Sequence, residues 1–208
     1  QYDWHVKLTR LVDAWSLVGG PGTIDWKDVR VGQIDTGFRE HPCLGWVNGK
    51  SSFVLTDFDR NFFPKDFTAD FGVPAGNENS ALDPLSGGMS DGHGTRTASI
   101  LAGYDVSPAG KGENNLQGFF GAAPKVPHIP VRISDSIIIN HVQEALAEAI
   151  EHLVRHGCQV ITLSMGMALT YVTRRLKDAL DYAYEQGVIF VAAAGNVWDP
   201  VAAPARLS

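Results

Sequence analysis

The stretch NHVQEALAEAIEHLVRHGCQVITL, residues 140–163, decides the fold. Val142, Ala145, Leu146, Ala149, Ile150, Leu153 and Val154 recur at three- and four-residue spacing, the period of a helix with one buried stripe. Asn140 and Gln143 are spaced as a capping box at its start, and Gly157 is placed to end it. Val160-Ile161-Thr162-Leu163 then drops the helical period for a short apolar run of strand type. The cycle repeats at once. Val172, Leu176, Ala179, Leu180 and Ala183 form a second helical stripe that stops at Gly187, and Val188-Ile189-Phe190-Val191-Ala192 reads as a strand buried on both faces.

Working outward, residues 31–34 and 128–133 are two further strand candidates, and residues 93–102 read as a helix opening at His93. Strands that alternate with helices are joined by right-handed crossovers into a parallel sheet. The expected fold class is therefore α/β, three layers with a mostly parallel central sheet and helices on both faces. Two stretches rich in Gly, Asn, Asp, Ser and Pro, 48–92 and 104–124, read as long surface loops.

The 208 residues, 44% of them hydrophobic, suit one domain with a real core. Seventeen basic and 23 acidic residues leave a formal charge of −6 with no basic run, so nucleic acid is not an expected partner. The longest apolar stretch, residues 188–194, is far short of the roughly 20 residues of a membrane span. Cys43 and Cys158 make neither a disulfide framework nor a metal spacing and read as independent thiols. The remaining histidines also lack ligand spacing, so no metal site is expected; His141, His152 and His156 read as a solvated helix flank, and Trp4 and Trp15 as core anchors.

Ligands of such sheets bind beyond the carboxyl ends of the strands. The polar residues just past each strand are therefore informative: Asp35 after the first, Ser164-Met165-Gly166 after the run at 160–163, Gly195-Asn196 after the last. A carboxylate ending a buried strand needs a partner, and His93, flanked by Gly92 and Gly94, is the best candidate. A carboxylate that fixes an imidazole tautomer while the other ring nitrogen takes a proton is the orienting and base part of a nucleophilic triad.

With these residues in place the sequence resembles the subtilisin-like serine proteases, the subtilases. Val31-Gly32-Gln33-Ile34-Asp35-Thr36-Gly37 followed by His41-Pro42 is similar to the family's aspartate motif, and Asp91-Gly92-His93-Gly94-Thr95 to its histidine motif. Residues 121–125 leading into Ile129-Pro130-Val131-Arg132 resemble its approach to a core strand. Residues 160–166 resemble its substrate-binding strand, and Ala193-Ala194-Gly195-Asn196 the segment with the oxyanion asparagine. The resemblance implies that Asp35 orients, His93 is general base then acid, and Asn196 donates to the developing oxyanion. It further implies that Ser164, Met165 and Gly166 pair with an extended polypeptide substrate, and that Ala193, Ala194 and Gly195 line one wall of the specificity pocket. It implies an extracellular location.

Three departures from the family stand out. The Gly-Thr-Ser nucleophile motif is absent; the one hydroxyl after Asn196 is Ser208. Residues 1–208 are therefore expected to be the N-terminal portion of a single peptidase domain, incomplete by several strands, with the serine on a separate or missing C-terminal segment, as in a nicked chain whose other part stays bound or in a fragment. Arg96 stands where many members have a second histidine. Cys43 stands where calcium-binding members have an aspartate; structural calcium is compatible with the family but no site is identified, and the chemistry requires no cofactor. The aromatic and acidic residues of the first loop (Phe53, Phe58, Phe62, Phe63, Phe67, Phe71; Asp57, Asp59, Asp66, Asp70) shape the cleft or hold another subunit. An aspartic protease, suggested by Asp35-Thr36-Gly37 alone, would need a second such motif and leaves His93 and Asn196 without a role. The contrasting reading is a non-catalytic peptide-binding or regulatory module that has lost its nucleophile.

Overall fold

The computed structural model describes residues 7–63, 76–88, 90–104, 121–168, 171–196 and 201–207. Strand β1, Val31–Asp35, is the centre of a five-stranded sheet. β2 is Arg60–Asn61, β3 is His128–Arg132, β4 is Val160–Leu163 and β5 is Ile189–Ala192. The order is β2-β3-β1-β4-β5, and every neighbouring pair is parallel. Helix α1 is Leu11–Ser16, α2 is His93–Ala102, α3 is Gln143–Arg155 and α4 is Arg174–Glu185.

Side chains of β1 alternate between two packed layers, as the pleat requires. Ile34 joins Leu146, Ile150 and Leu153 of α3 and Leu176, Ala179 and Ala183 of α4 in the larger core. Val31 joins Ala98 and Ala102 of α2 in the smaller one. Helices thus cover both faces, and the α/β expectation stands. Gly32 lets α3 lie close: a Cβ there would come 2.5 Å from Leu153 Cδ1.

Both helices stop where the sequence places them, at Gly157 and Gly187, each in the left-handed region with φ near 75°. The start of α3 differs from expectation. The N-cap of α3 is Val142 with no side-chain cap, so the capping box from Asn140 to Gln143 does not form. Gln143 is buried and its amide spans to the next helix, donating to Tyr171 O (3.2 Å) and accepting from Thr173 N (2.8 Å). A buried amide does better by satisfying the loop before α4 than by capping its own helix.

Three other expectations are corrected. β5 is not doubly buried: Ile189 is 62% and Val191 51% exposed, because they point to the α2 side of the sheet, where among the described residues no core cluster reaches them, while Phe190 and Ala192 pack on the opposite face. The stretch 48–92 is not all surface loop, since it supplies β2 and buries Phe53, Val54 and Phe63; Asp66, Phe67, Asp70 and Phe71 lie outside the described residues. His152 is not solvated. It is buried against the rings of Phe62 and His156, with Nε2 2.7 Å from Phe58 O. Trp15 is a core anchor, its Nε1 donating to Ala122 O, whereas Trp4 lies outside the described residues.

His128 opens β3 fully buried, with neither ring nitrogen hydrogen-bonded among the described residues, and burial pushes its pKa down to about 4. The folded state holds this imidazole neutral while the unfolded chain protonates it near 6.5. Its contribution is thus present above about pH 6.5 and lost as pH falls toward 4. His128→Leu is expected to flatten the slope of unfolding free energy against pH in that window by about one proton, read from denaturant melts.

Gly32→Ala is expected to cost about 1–3 kcal/mol by overpacking against Leu153. Combined with Leu153→Ala the two losses should sum to less than additive in denaturant melts, because the cavity accepts the methyl; additive losses would contradict this packing.

Candidate active site

The register of the parallel strands assembles one rim. Ile34 lies opposite Leu163, and Leu163 opposite Ala192, so the next residues, Asp35, Ser164 and Ala193, stand at the same end of three adjacent strands. Asp35 is 2% exposed, and its carboxylate is satisfied from three directions. Oδ1 lies 2.7 Å from His93 Nδ1 and accepts from Thr36 N (2.7 Å); Oδ2 accepts from Thr97 Oγ1 (2.9 Å).

His93 is the first residue of α2, and its side chain keeps 20% of its surface exposed. Helix and strand approach closely because Gly94 follows it. A Cβ on Gly94 would sit 1.9 Å from Gly37 O and 3.2 Å from Asp35 Cβ. The bond through Nδ1 leaves Nε2 as the ring nitrogen available to exchange a proton with a ligand.

The approach to α2 is clamped from the loop before it. Asp83 accepts from Leu85 N (2.9 Å) through Oδ1 and from Gly92 N (2.8 Å) through Oδ2, holding Gly92 in the left-handed N-cap conformation that turns the chain into the helix. Arg39 pairs with Asp91, donates to Leu85 O, and through its backbone N–H bonds Thr95 Oγ1 (2.8 Å). Sequence reading missed Arg39, Asp83, Thr97 and Gln33. Nothing local marks them; the pairing of residues around 38 with residues 81–83 brings Arg39 and Asp83 to the histidine, and the packing of α2 on β1 brings Thr97 and Gln33 together.

The third segment of the rim is open. Ala193, Ala194, Gly195 and Asn196 are all exposed, and the chain is held by Ala193 N–H donating to Leu163 O and Ala202 N–H donating to Ala194 O. Ser164 and Gly166 are half-buried, but Met165 is 1% exposed and its side chain belongs to the core. Gly166 is already paired, donating to Ile137 O and accepting from Ile139 N (both 3.1 Å), which sets the exposed Ile137 and Ile138 beside the segment. Ser208 lies outside the described residues.

Among the described residues no group of three or more His, Cys, Asp and Glu side chains could hold a metal ion, and no helix is long and apolar enough to cross a membrane. Both cysteines are free thiols, with burial pushing Cys43 up to about 11 and Cys158 up to about 12. Neither is a nucleophile near neutral pH.

A parallel α/β sheet with a buried aspartate at the end of its central strand, bonded to a helix-opening histidine, is the arrangement of subtilisin-like folds. The subtilase family profile matches residues 26–208, and the chain belongs to that family. Thermitase from Thermoactinomyces vulgaris is 31% identical over 185 residues, 88% of this chain and 50% of thermitase. The minor extracellular protease Epr of Bacillus subtilis is 24% identical over 99% of this chain and 25% of its own length. Among solved structures, the protease domain of PatA is 26% identical with a TM-score of 0.55, covering 85% of this chain and 54% of that one. MycP1 with its propeptide removed shares the fold at a TM-score of 0.58 and 24% identity, covering 95% of this chain and 50% of that one. The chain therefore spans about half, or less, of the length of the relatives it matches.

Gly94→Ala is expected to destabilise the fold by about 3 kcal/mol or more, beyond the cost at Gly32, because its methyl meets a backbone carbonyl rather than a movable side chain. Denaturant melts of the two variants side by side provide the check.

Proposed function

We propose that this chain is part of a serine endopeptidase that cleaves polypeptides through an acyl-enzyme. In this reading Asp35 orients His93 and stabilises the imidazolium. His93 takes the proton of a serine hydroxyl and returns it to the leaving amine, and the Asn196 amide donates to the oxyanion. The observation that carries it is the 2.7 Å contact between a 2%-exposed Asp35 and a His93 whose far ring nitrogen is free for chemistry at the rim. The nucleophilic serine is supplied by polypeptide other than residues 1–208.

Two observations support a further segment. The chain covers half of thermitase, and β5 is the last strand of the sheet among the described residues, with Ile189 and Val191 exposed on one face, an edge of the kind proteins usually cover. The substrate enters as an extended strand along Ser164-Met165-Gly166, with the open segment Ala193-Ala194-Gly195 forming one wall of a pocket. Met165 contributes its backbone there, its side chain being core. Secretion is the natural setting, in keeping with an extracellular relative.

The test uses the full natural polypeptide and a fluorophosphonate probe. The probe is expected to label a serine outside residues 1–208, and His93→Ala should lower kcat on a peptide substrate by about six orders of magnitude, the scale of losing the histidine of a serine-protease triad. A folded wild-type protein that is neither labelled nor active, but still binds peptide, would establish the non-catalytic module instead.

A further inference from the structure

We propose that Thr97 is a positioning residue for Asp35, and that Gln33 sets the direction in which its hydroxyl donates. The catalytic part of the proposal rests on the protease reading above. Gln33 lies in the middle of β1, 4% exposed, facing α2 where a fully apolar residue would be the ordinary choice. Its Nε2 lies 2.8 Å from Gly94 O and 2.7 Å from Thr97 Oγ1. A carbonyl can only accept, so Gly94 O fixes the Gln33 amide with its NH₂ toward α2. The second proton of that NH₂ then points at Thr97 Oγ1, which accepts it. The Thr97 hydroxyl proton is left for Asp35 Oδ2 at 2.9 Å, in preference to the helix carbonyls of Gly94 (3.0 Å, already used by Gln33) and His93 (3.3 Å).

The chain of donors runs one way, from Gln33 through Thr97 to Asp35. Oδ1 of Asp35 accepts from His93 and from Thr36 N–H, whereas among the described residues Thr97 supplies the one donor to Oδ2. Remove it and half of a buried carboxylate has no proton to face, so the group turns about its own axis and its charge concentrates on Oδ1. Thr97 also lies one helical turn after His93, so α2 carries both the imidazole and the hydroxyl that holds the imidazole's partner. The carboxylate plane and the ring are thereby set by one rigid element.

The experiment compares Thr97→Val, Thr97→Ser and Gln33→Leu in the full natural polypeptide. Thr97→Val, which keeps the shape and removes the proton, should lower kcat about tenfold, the rate equivalent of a charge-assisted hydrogen bond, with KM within about twofold. The acid limb of kcat/KM and the NMR titration of the His93 imidazole should both move upward, since an unsatisfied carboxylate holds the imidazolium more tightly. Thr97→Ser should restore both readouts. If Thr97→Val does not fold, Gln33→Leu serves, with a smaller loss of kcat and the same upward direction. An unmoved His93 titration in Thr97→Val, or Thr97→Ser as impaired as Thr97→Val, overturns the proposal. Wild-type polypeptide without cleavage, but with a His93 titration that still moves in Thr97→Val, overturns the protease reading and keeps the positioning role.

Discussion

The closeness of α2 to the end of β1 is the constraint from which the rest of the site follows. At Gly94 the helix backbone passes so near Gly37 that no side chain fits, and this proximity lets His93 reach a carboxylate buried under the sheet rim. A buried carboxylate without donors would be expelled or protonated. Asp35 stays because Thr36, Thr97 and His93 together satisfy it, and each reaches it only while helix and strand remain in contact. The Asp83 and Arg39 contacts keep the loop from pulling the helix away.

Much of the architecture was legible in the sequence because it is local. The stripes at 142–154 and 172–183 gave α3 and α4, and the glycines at 157 and 187 gave their ends, since period and left-handed φ are properties of a few neighbouring residues. The capping box failed for a non-local reason: Gln143 had a buried partner in the loop before α4, thirty positions on, that no pattern around Asn140 could disclose. The burial of His152 has the same origin, a contact with Phe58 from the far side of the chain. β5 looked doubly buried because Ile189 and Val191 are as apolar as a central strand, and residue type alone cannot say which neighbour is present.

The candidate site divides along the same line. Asp35 and His93 carry short motifs with glycines that read as chemistry, and the structure brings them into contact. The exposed Asn196 and the open segment before it keep their motif and lie past a strand end on the same rim, as the register requires. Gln33 and Thr97 were invisible: each is unremarkable in its own segment, and only the pairing of β1 with α2 gives them a joint purpose. Met165 adds that a motif names a segment and not the face each side chain takes, since its side chain fills the core.

The placement of β1 also bears on the order in which the molecule is built. Val31 leaves the ribosome well before its two neighbours in the sheet, His128 and Val160. A central strand whose partners are both distant in sequence closes large loops, and such pairings form slowly. The rim that carries Asp35 is thus assembled only after the chain has been made through Val160, so the carboxylate waits for partners far downstream before it is set in a finished sheet.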